Sequence, residues 1–258
     1  MLSWLSLTML GLFVGFLGTV MGVGGGFIVG PVLLSFYALR PGEVAGTSLV
    51  VVFLNALSGT MAYYRQGRIV FRTGTVMSVF TVPGSVLGAV LTGYIDRGPF
   101  TVLFAVMLIV AALRMIEKGR AAGSDSTKGQ KTALLRGLRG WLLVGSLALL
   151  SGVLSGFFGV GGGIVHVPLM ILLLGFPAHF ATATSHFILT ITSIIGVASH
   201  AFLGNVNTWL ALPVGLGALA GAQLGAHTSL KLSGRTLELV FAAFLLAMSA
   251  NLLYQALG

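Results

Sequence analysis

Gly22-Val23-Gly24-Gly25-Gly26, and its second copy Gly159-Val160-Gly161-Gly162-Gly163, decide how the rest of the chain reads. Glycine in a helix interior costs about 1 kcal/mol per residue relative to alanine, so four glycines in five positions predict a break in the apolar helix that runs into each run. At membrane depth such a break is tolerated only inside protein or beside a wet cavity, because lipid cannot satisfy free backbone groups. Interrupted helices of this kind mark binding sites in transporters. The segments that follow, Phe27 to Leu39 and Ile164 to Phe176, are too short to span comfortably and read as half-helices. Their first-turn N–H groups and positive dipole ends favour an anion.

Composition places these breaks in a membrane. Of 258 residues, 56% are hydrophobic and 7% charged, with a mean hydropathy of +1.03, more apolar than a soluble core of this size requires. Segments long enough for a hydrocarbon layer of about 30 Å run from Trp4 to Met21, Val44 to Tyr64, Thr75 to Tyr94, Phe100 to Ile116, Trp141 to Phe158, Ala181 to Leu203, Trp209 to Leu230 and Leu237 to Leu257. The first lacks a basic leader and cleavage site, and is read as a retained helix. The chain has no cysteine, which excludes disulfides and thiolate chemistry. The net charge of +9 is read through its location rather than as a nucleic-acid signal.

Sliding the chain by 137 residues aligns its halves without a gap from Trp4 on Trp141 to Leu108 on Leu245. Pro31 falls on Pro168, Thr47-Ser48 on Thr184-Ser185, Gly59 on Gly196, and Gly84 and Gly88 on Gly221 and Gly225. The expected fold is an all-α polytopic membrane protein of two repeats. Each repeat has a glycine-broken element and three further transmembrane helices. Repeat 1 covers residues 1–116, a linker 117–140, and repeat 2 residues 141–258. The glycine pairs four apart suit close helix packing, and such a face could also serve a homodimer.

The stretch from Arg114 to Arg139 carries seven of the fourteen Lys and Arg, which puts it in the cytoplasm. Arg65, Arg68 and Arg72 then fall inside, and Arg40 and Arg97 outside. Placing Lys231 and Arg235 inside as well leaves 2 of the 14 basic residues outside, against 4 for parallel halves, so the tally favours inverted repeats.

Candidate site residues are polar groups at membrane depth together with the glycines themselves. They are Gly24, Gly25, Gly26, Thr47, Ser48 and Asn55 in the first half, and Gly161, Gly162, Gly163, His166, Thr184, Ser185 and His186 in the second. The Thr-Ser pairs are expected in the first turn or so of the helix after each half-helix, capping it or binding an oxyanion. His166, His186 and His200 replace Val29, Leu49 and Tyr63 in the repeat, an asymmetry that suggests specialisation. His186 is the candidate cation or proton carrier. No acid lies deep in a span, which argues against a carboxylate relay and a carboxylate-bound metal. No cofactor is called for, and no P-loop or His-Glu-x-x-His motif is present. An intramembrane enzyme would need a nucleophile paired with a base, for which no recognisable spacing exists. An anion channel could use the same donors.

Gly-x-Gly-Gly-Gly followed by a proline-containing half-helix, then Gly46-Thr47-Ser48-Leu49 and Ala183-Thr184-Ser185, resembles the TauE/SafE family of sulfite and organosulfonate exporters. Gly67-Arg68-Ile69 and His200 with Gly204-Asn205-Val206 match the family's next helix ends. Family members often carry an Asp just after these positions, where this chain has Val70 and Asn207. The resemblance implies transport of a small sulfur oxyanion, such as sulfite or sulfoacetate, across a bacterial inner membrane.

Overall fold

The computed structural model describes residues 3–121, 138–229 and 234–257, and among them it is helical with no strand. The first half contains α1 (Trp4–Met21), α2 (Gly26–Phe36), α3 (Pro41–Arg65), α4 (Phe71–Leu91) with a 3-10 turn at Thr92–Tyr94, and α5 (Arg97–Ala121). The second contains α6 (Leu138–Phe158), α7 (Gly163–Leu172), α8 (Ala178–Phe202), α9 (Thr208–Thr228) and α10 (Gly234–Leu257). The bounds of α3 and α4 moved on by 137 residues are those of α8 and α9. Most of the expected linker, 122–137, lies outside the described residues, as do Lys231 and the side chain of Arg235.

Among the described residues, five helices are long and apolar enough to cross a membrane: α1, α3, α4 with its 3-10 extension, α8 and α9. Shorter apolar stretches lie at 26–36, 97–113 and 142–158. The half-helices stop at Phe36 and Leu172, short of the expected Leu39 and Phe176. The next helix starts earlier than its apolar run. Pro41 at the first helical position suits a fixed φ, and the Glu43 carboxylate accepts the Arg40 backbone N–H at 3.0 Å.

Glycine sets the packing, and it does so across the two halves. α1 runs parallel to α9, with Gly11 against Val214 and Gly15 against Ala218, while Gly217 and Gly221 meet Thr8 and Leu12 from the other side. α4 runs parallel to α6 in the same way, with Gly84 on Leu149 and Gly88 on Val153, answered by Gly152 on Thr81 and Gly156 on Ser85. A Cβ at any of these eight positions would come within 2.3 Å of a backbone carbonyl oxygen, so only glycine permits the approach. The Gly84/Gly88 and Gly221/Gly225 faces are thus occupied inside the chain.

At the centre α3 and α8 cross antiparallel. Gly46 lies against His200, Leu49 against Gly196 and Gly59 against His186. α3 and α8, whose bounds lie 137 residues apart, therefore run in opposite directions. α5 and α10 pack on each other, and Phe100 and Phe104 of α5 join Phe157 and Phe158 of α6 in an aromatic cluster beside Gly30. Trp4 and Trp209, at the starts of α1 and α9, meet edge to face at 6.4 Å. Their half-exposed rings suit a membrane interface.

Candidate functional site

Each glycine run makes the same turn. α1 ends at Gly22 with φ +78, and Gly24 and Gly25, both at φ +84, carry the chain into α2. In the second run Gly159, Gly161 and Gly162 take φ +73, +88 and +76. Three left-handed residues in four positions explain the composition, because a Cβ would be strained at every one. The turn at the first run is tied back to its helix, Val23 and Gly24 both donating to the Gly18 carbonyl. The amides that open the half-helices are not tied back. Among the described residues, the N–H groups of Gly25, Gly26, Gly162 and Gly163 have no hydrogen-bond acceptor, as expected of an uncapped helix start.

The two breaks meet. A Cβ at Gly26 would sit 2.3 Å from the Gly159 carbonyl oxygen, and one at Gly163 would sit 2.5 Å from that of Gly22. Val52 and Leu189, one from the middle of α3 and one from the middle of α8, both close on Gly24 and Gly161. The breaks therefore lie at the mid-depth of the two central helices, with an apolar pair against them.

The serines of the Thr-Ser pairs bind these breaks, each on the opposite half. Ser48 donates to the Gly159 carbonyl at 2.9 Å and approaches that of Gly26 at 3.2 Å, while Ser185 donates to the Gly22 carbonyl at 2.7 Å. The threonines lie near helix ends instead. Thr47 accepts the Asn207 N–H and Thr184 the Val70 N–H, both at 3.0 Å. Because α3 begins at Pro41, these pairs stand about two turns into their helices rather than in the first turn, and they secure the other half's entry loops rather than cap their own helix. Ser185→Ala should lower stability by about 1–2 kcal/mol, since the buried Gly22 carbonyl would lose its donor; thermal unfolding in detergent reads the change.

Asn55 and His166 border the breaks in different ways. The Asn55 carboxamide oxygen accepts from Thr19 at 2.9 Å, leaving its amide nitrogen unpartnered. His166 is fully buried in α7, its Nε2 bonded to the Ser151 hydroxyl and 3.4 Å from that of Thr81. A Cβ at Gly162 would stand 3.2 Å from its ring. His186 lies on the side of α8 that faces α3. Its Nδ1 faces the Thr182 carbonyl at 3.2 Å, and its ring packs on Gly59 and edge-on to Tyr63 at 5.4 Å. No group of three metal-ligating side chains occurs among the described residues.

Residues 7–252 match the family model described as Sulfite exporter TauE/SafE. The chain belongs to the TauE/SafE family. It is 30% identical to the probable membrane transporter protein YunE of Bacillus subtilis, over 99% of both chains. To the probable membrane transporter protein MJ0441 of Methanocaldococcus jannaschii it is 28% identical, over 96% of this chain and 94% of that one. To the probable membrane transporter protein YdhB of Bacillus subtilis it is 30% identical, over 88% and 89%. No solved structure matches the chain. It is accordingly a multi-pass membrane transporter of this family.

At Val70 and Asn207, which precede α4 and α9, the two helix starts are held in different ways. Asn207 caps α9 by accepting the Leu210 N–H, and Val70 relies on Thr184 across the halves. Sequence reasoning placed Arg68 in a loop and missed its burial. It is 5% exposed, donating to Gln66, Ser229 and the His179 carbonyl, with its guanidinium 4.7 Å from the centre of the Tyr63 ring. No carboxylate faces it among the described residues, and burial lowers its pKa from the ordinary arginine value. It joins the α3–α4 loop to the end of α9 and the start of α8. Ser151, Thr81, Val52 and Leu189 were also missed; comparing each residue with its mate 137 positions away would have flagged Ser151, which replaces Val14, and Thr81, opposite Ala218.

Proposed function

We propose that this chain is a secondary carrier that exports a small sulfur-containing oxyanion, such as sulfite, sulfoacetate or another organosulfonate, by alternating access around a mid-membrane site. The observation that carries the reading is the meeting of two glycine breaks whose half-helix amides have no acceptor. Two positive helix ends without a nearby carboxylate favour a dehydrated anion with several acceptor oxygens. The glycines 24–26 and 161–163, with Ser48, Ser185, Asn55 and His166, border that place. Thr47, Thr184 and His186 act at a distance from it, by fixing entry loops and the α3–α8 contact. The family's description as sulfite exporters supports the substrate class. The basic residues of the linker support a cytoplasmic linker in a bacterial inner membrane.

Carriage fits better than a channel, because backbone from the two breaks is in contact and Val52 and Leu189 close on both. The protein reconstituted in liposomes should show saturable ³⁵S-sulfite counterflow, and sulfite should raise its unfolding temperature. Gly162→Val, which puts a branched side chain at φ +76 beside His166, should insert normally and lose flux. Undiminished flux in that variant, or conductance that does not saturate, would refute the carrier with its site at the breaks.

A further inference from the structure

The two breaks are not lined alike. Against Gly25 of the first stands Val14, whose Cγ1 would be 2.5 Å from a Cβ there; Gly18 also lies on Gly25, Ala218 lies on Gly15, and Val29 and Ala222 complete the positions compared. At the second break the equivalent residues are Ser151, Ser155, His166, Thr81 and Ser85. Five apolar or side-chain-free positions on one side are polar on the other, and all five of those polar side chains are fully buried.

Their hydrogen bonding divides them into two groups. Serine and threonine in apolar helices ordinarily return their hydroxyl to the carbonyl one turn back. Ser78, Thr81, Thr190 and Ser193 do so here. Ser85, Ser155 and Thr192 do not, and their hydroxyls are buried with no partner. The Ser151 and Thr81 hydroxyls stand within reach of the Ala148 and Met77 carbonyls and of the His166 Nε2, while the His166 Nδ1 has no partner.

The free hydroxyls lie on α4, α6 and α8, which pack on one another around the second break. Gly18 lies against the Gly25 amide nitrogen, 2.6 Å from where its Cβ would be, and its counterpart by sequence in the other half is Ser155, one turn before Gly159. Ser85 lies between Gly152 and Gly156, with its hydroxyl 2.8 Å from a Cβ at Gly196, one turn past Thr192 on α8. In the first half Asn55 reaches Thr19; at the matching positions of the second stand Thr192, one turn past Leu189, and Gly156, which has no side chain to offer it.

We propose that the second break alone holds the anion, whose oxygens accept from the hydroxyls of Ser85, Ser155 and Thr192 and from the amides of Gly162 and Gly163, while the first break is an apolar counterpart without a ligand. This deepens the reading of the broken helices as a transport site and rests on it. His166 is a positioning residue, holding Ser151 and Thr81 beside Gly162. A group with three or more acceptor oxygens, such as sulfite or a sulfonate, matches this set of donors.

The test is the double variant Ser85→Ala/Ser155→Ala in the full-length protein, with sulfite as the probe. Since both hydroxyls lack partners, the unliganded unfolding temperature should stay the same or rise. The sulfite-induced rise in unfolding temperature should vanish, and the KM for ³⁵S-sulfite flux should increase at least tenfold. A wild-type KM and a full sulfite response in the double variant would overturn the assignment to the second break, while loss of flux in Gly162→Val would leave the broken-helix reading standing. A marked drop in the unliganded unfolding temperature with the sulfite response kept would show the hydroxyls to be structural, and would equally overturn it. Wild-type protein with neither sulfite response nor flux would sink both readings.

Discussion

Gly163→Val should give a chain that enters the membrane, unfolds at a markedly lower temperature and carries no sulfite. The first side-chain carbon would lie 2.5 Å from the Gly22 carbonyl oxygen, and that oxygen cannot step aside freely because Ser185 holds it at 2.7 Å. Forcing two branches into this contact costs about 3 kcal/mol or more by the measure of overpacked cores. The equivalent change, Gly26→Val, meets the Gly159 carbonyl, held by Ser48 at 2.9 Å, and should be as damaging. Melting curves in detergent and flux in liposomes check both. Near-wild-type behaviour of either would mean that the two breaks are not in contact in the working protein.

Gly152→Leu should be the most destabilising change away from the breaks. A Cβ at this position falls 2.1 Å from the Thr81 carbonyl oxygen and 3.0 Å from the Ser85 nitrogen, so α4 would have to leave α6. In a membrane that pairing depends on close backbone approach rather than on exclusion of water, and nothing replaces it once the helices separate. The internal control is Gly98→Leu near the start of α5, where no atom lies within 4 Å. Loss of monodisperse protein in the first variant and not in the second is the expected result. Comparable behaviour of the two would remove glycine-mediated docking from the account.

Much of this fold is legible in the sequence because bilayer physics is local. An apolar run of the right length predicts a spanning helix, and both glycine runs stand where the backbone turns left-handed. The partners of the polar residues were not legible, because they are reached across the halves. Nothing in the order of Thr47 and Ser48 says that one will hold the loop before α9 and the other a carbonyl 111 residues away. His186 stands beside Ser185 in the sequence, and nothing there announces that its ring will pack on Gly59 and Tyr63 of α3. Arg68 resembled an ordinary loop cation, and its burial depends on Gln66, Ser229 and His179 coming together from three places in the chain.

The pairing of α1 with α9, and of α4 with α6, also dictates when the protein can assemble. The ribosome delivers the first helix nearly two hundred residues before its partner, so its glycine-lined face must wait in lipid while seven further helices are inserted. Neither half, made on its own, would contain a matching surface for its own first helix. Two fragments cut within residues 122–137 and produced in the same cell could supply those surfaces to each other, and their co-purification as one transporting particle would be the biosynthetic signature of the interlaced arrangement.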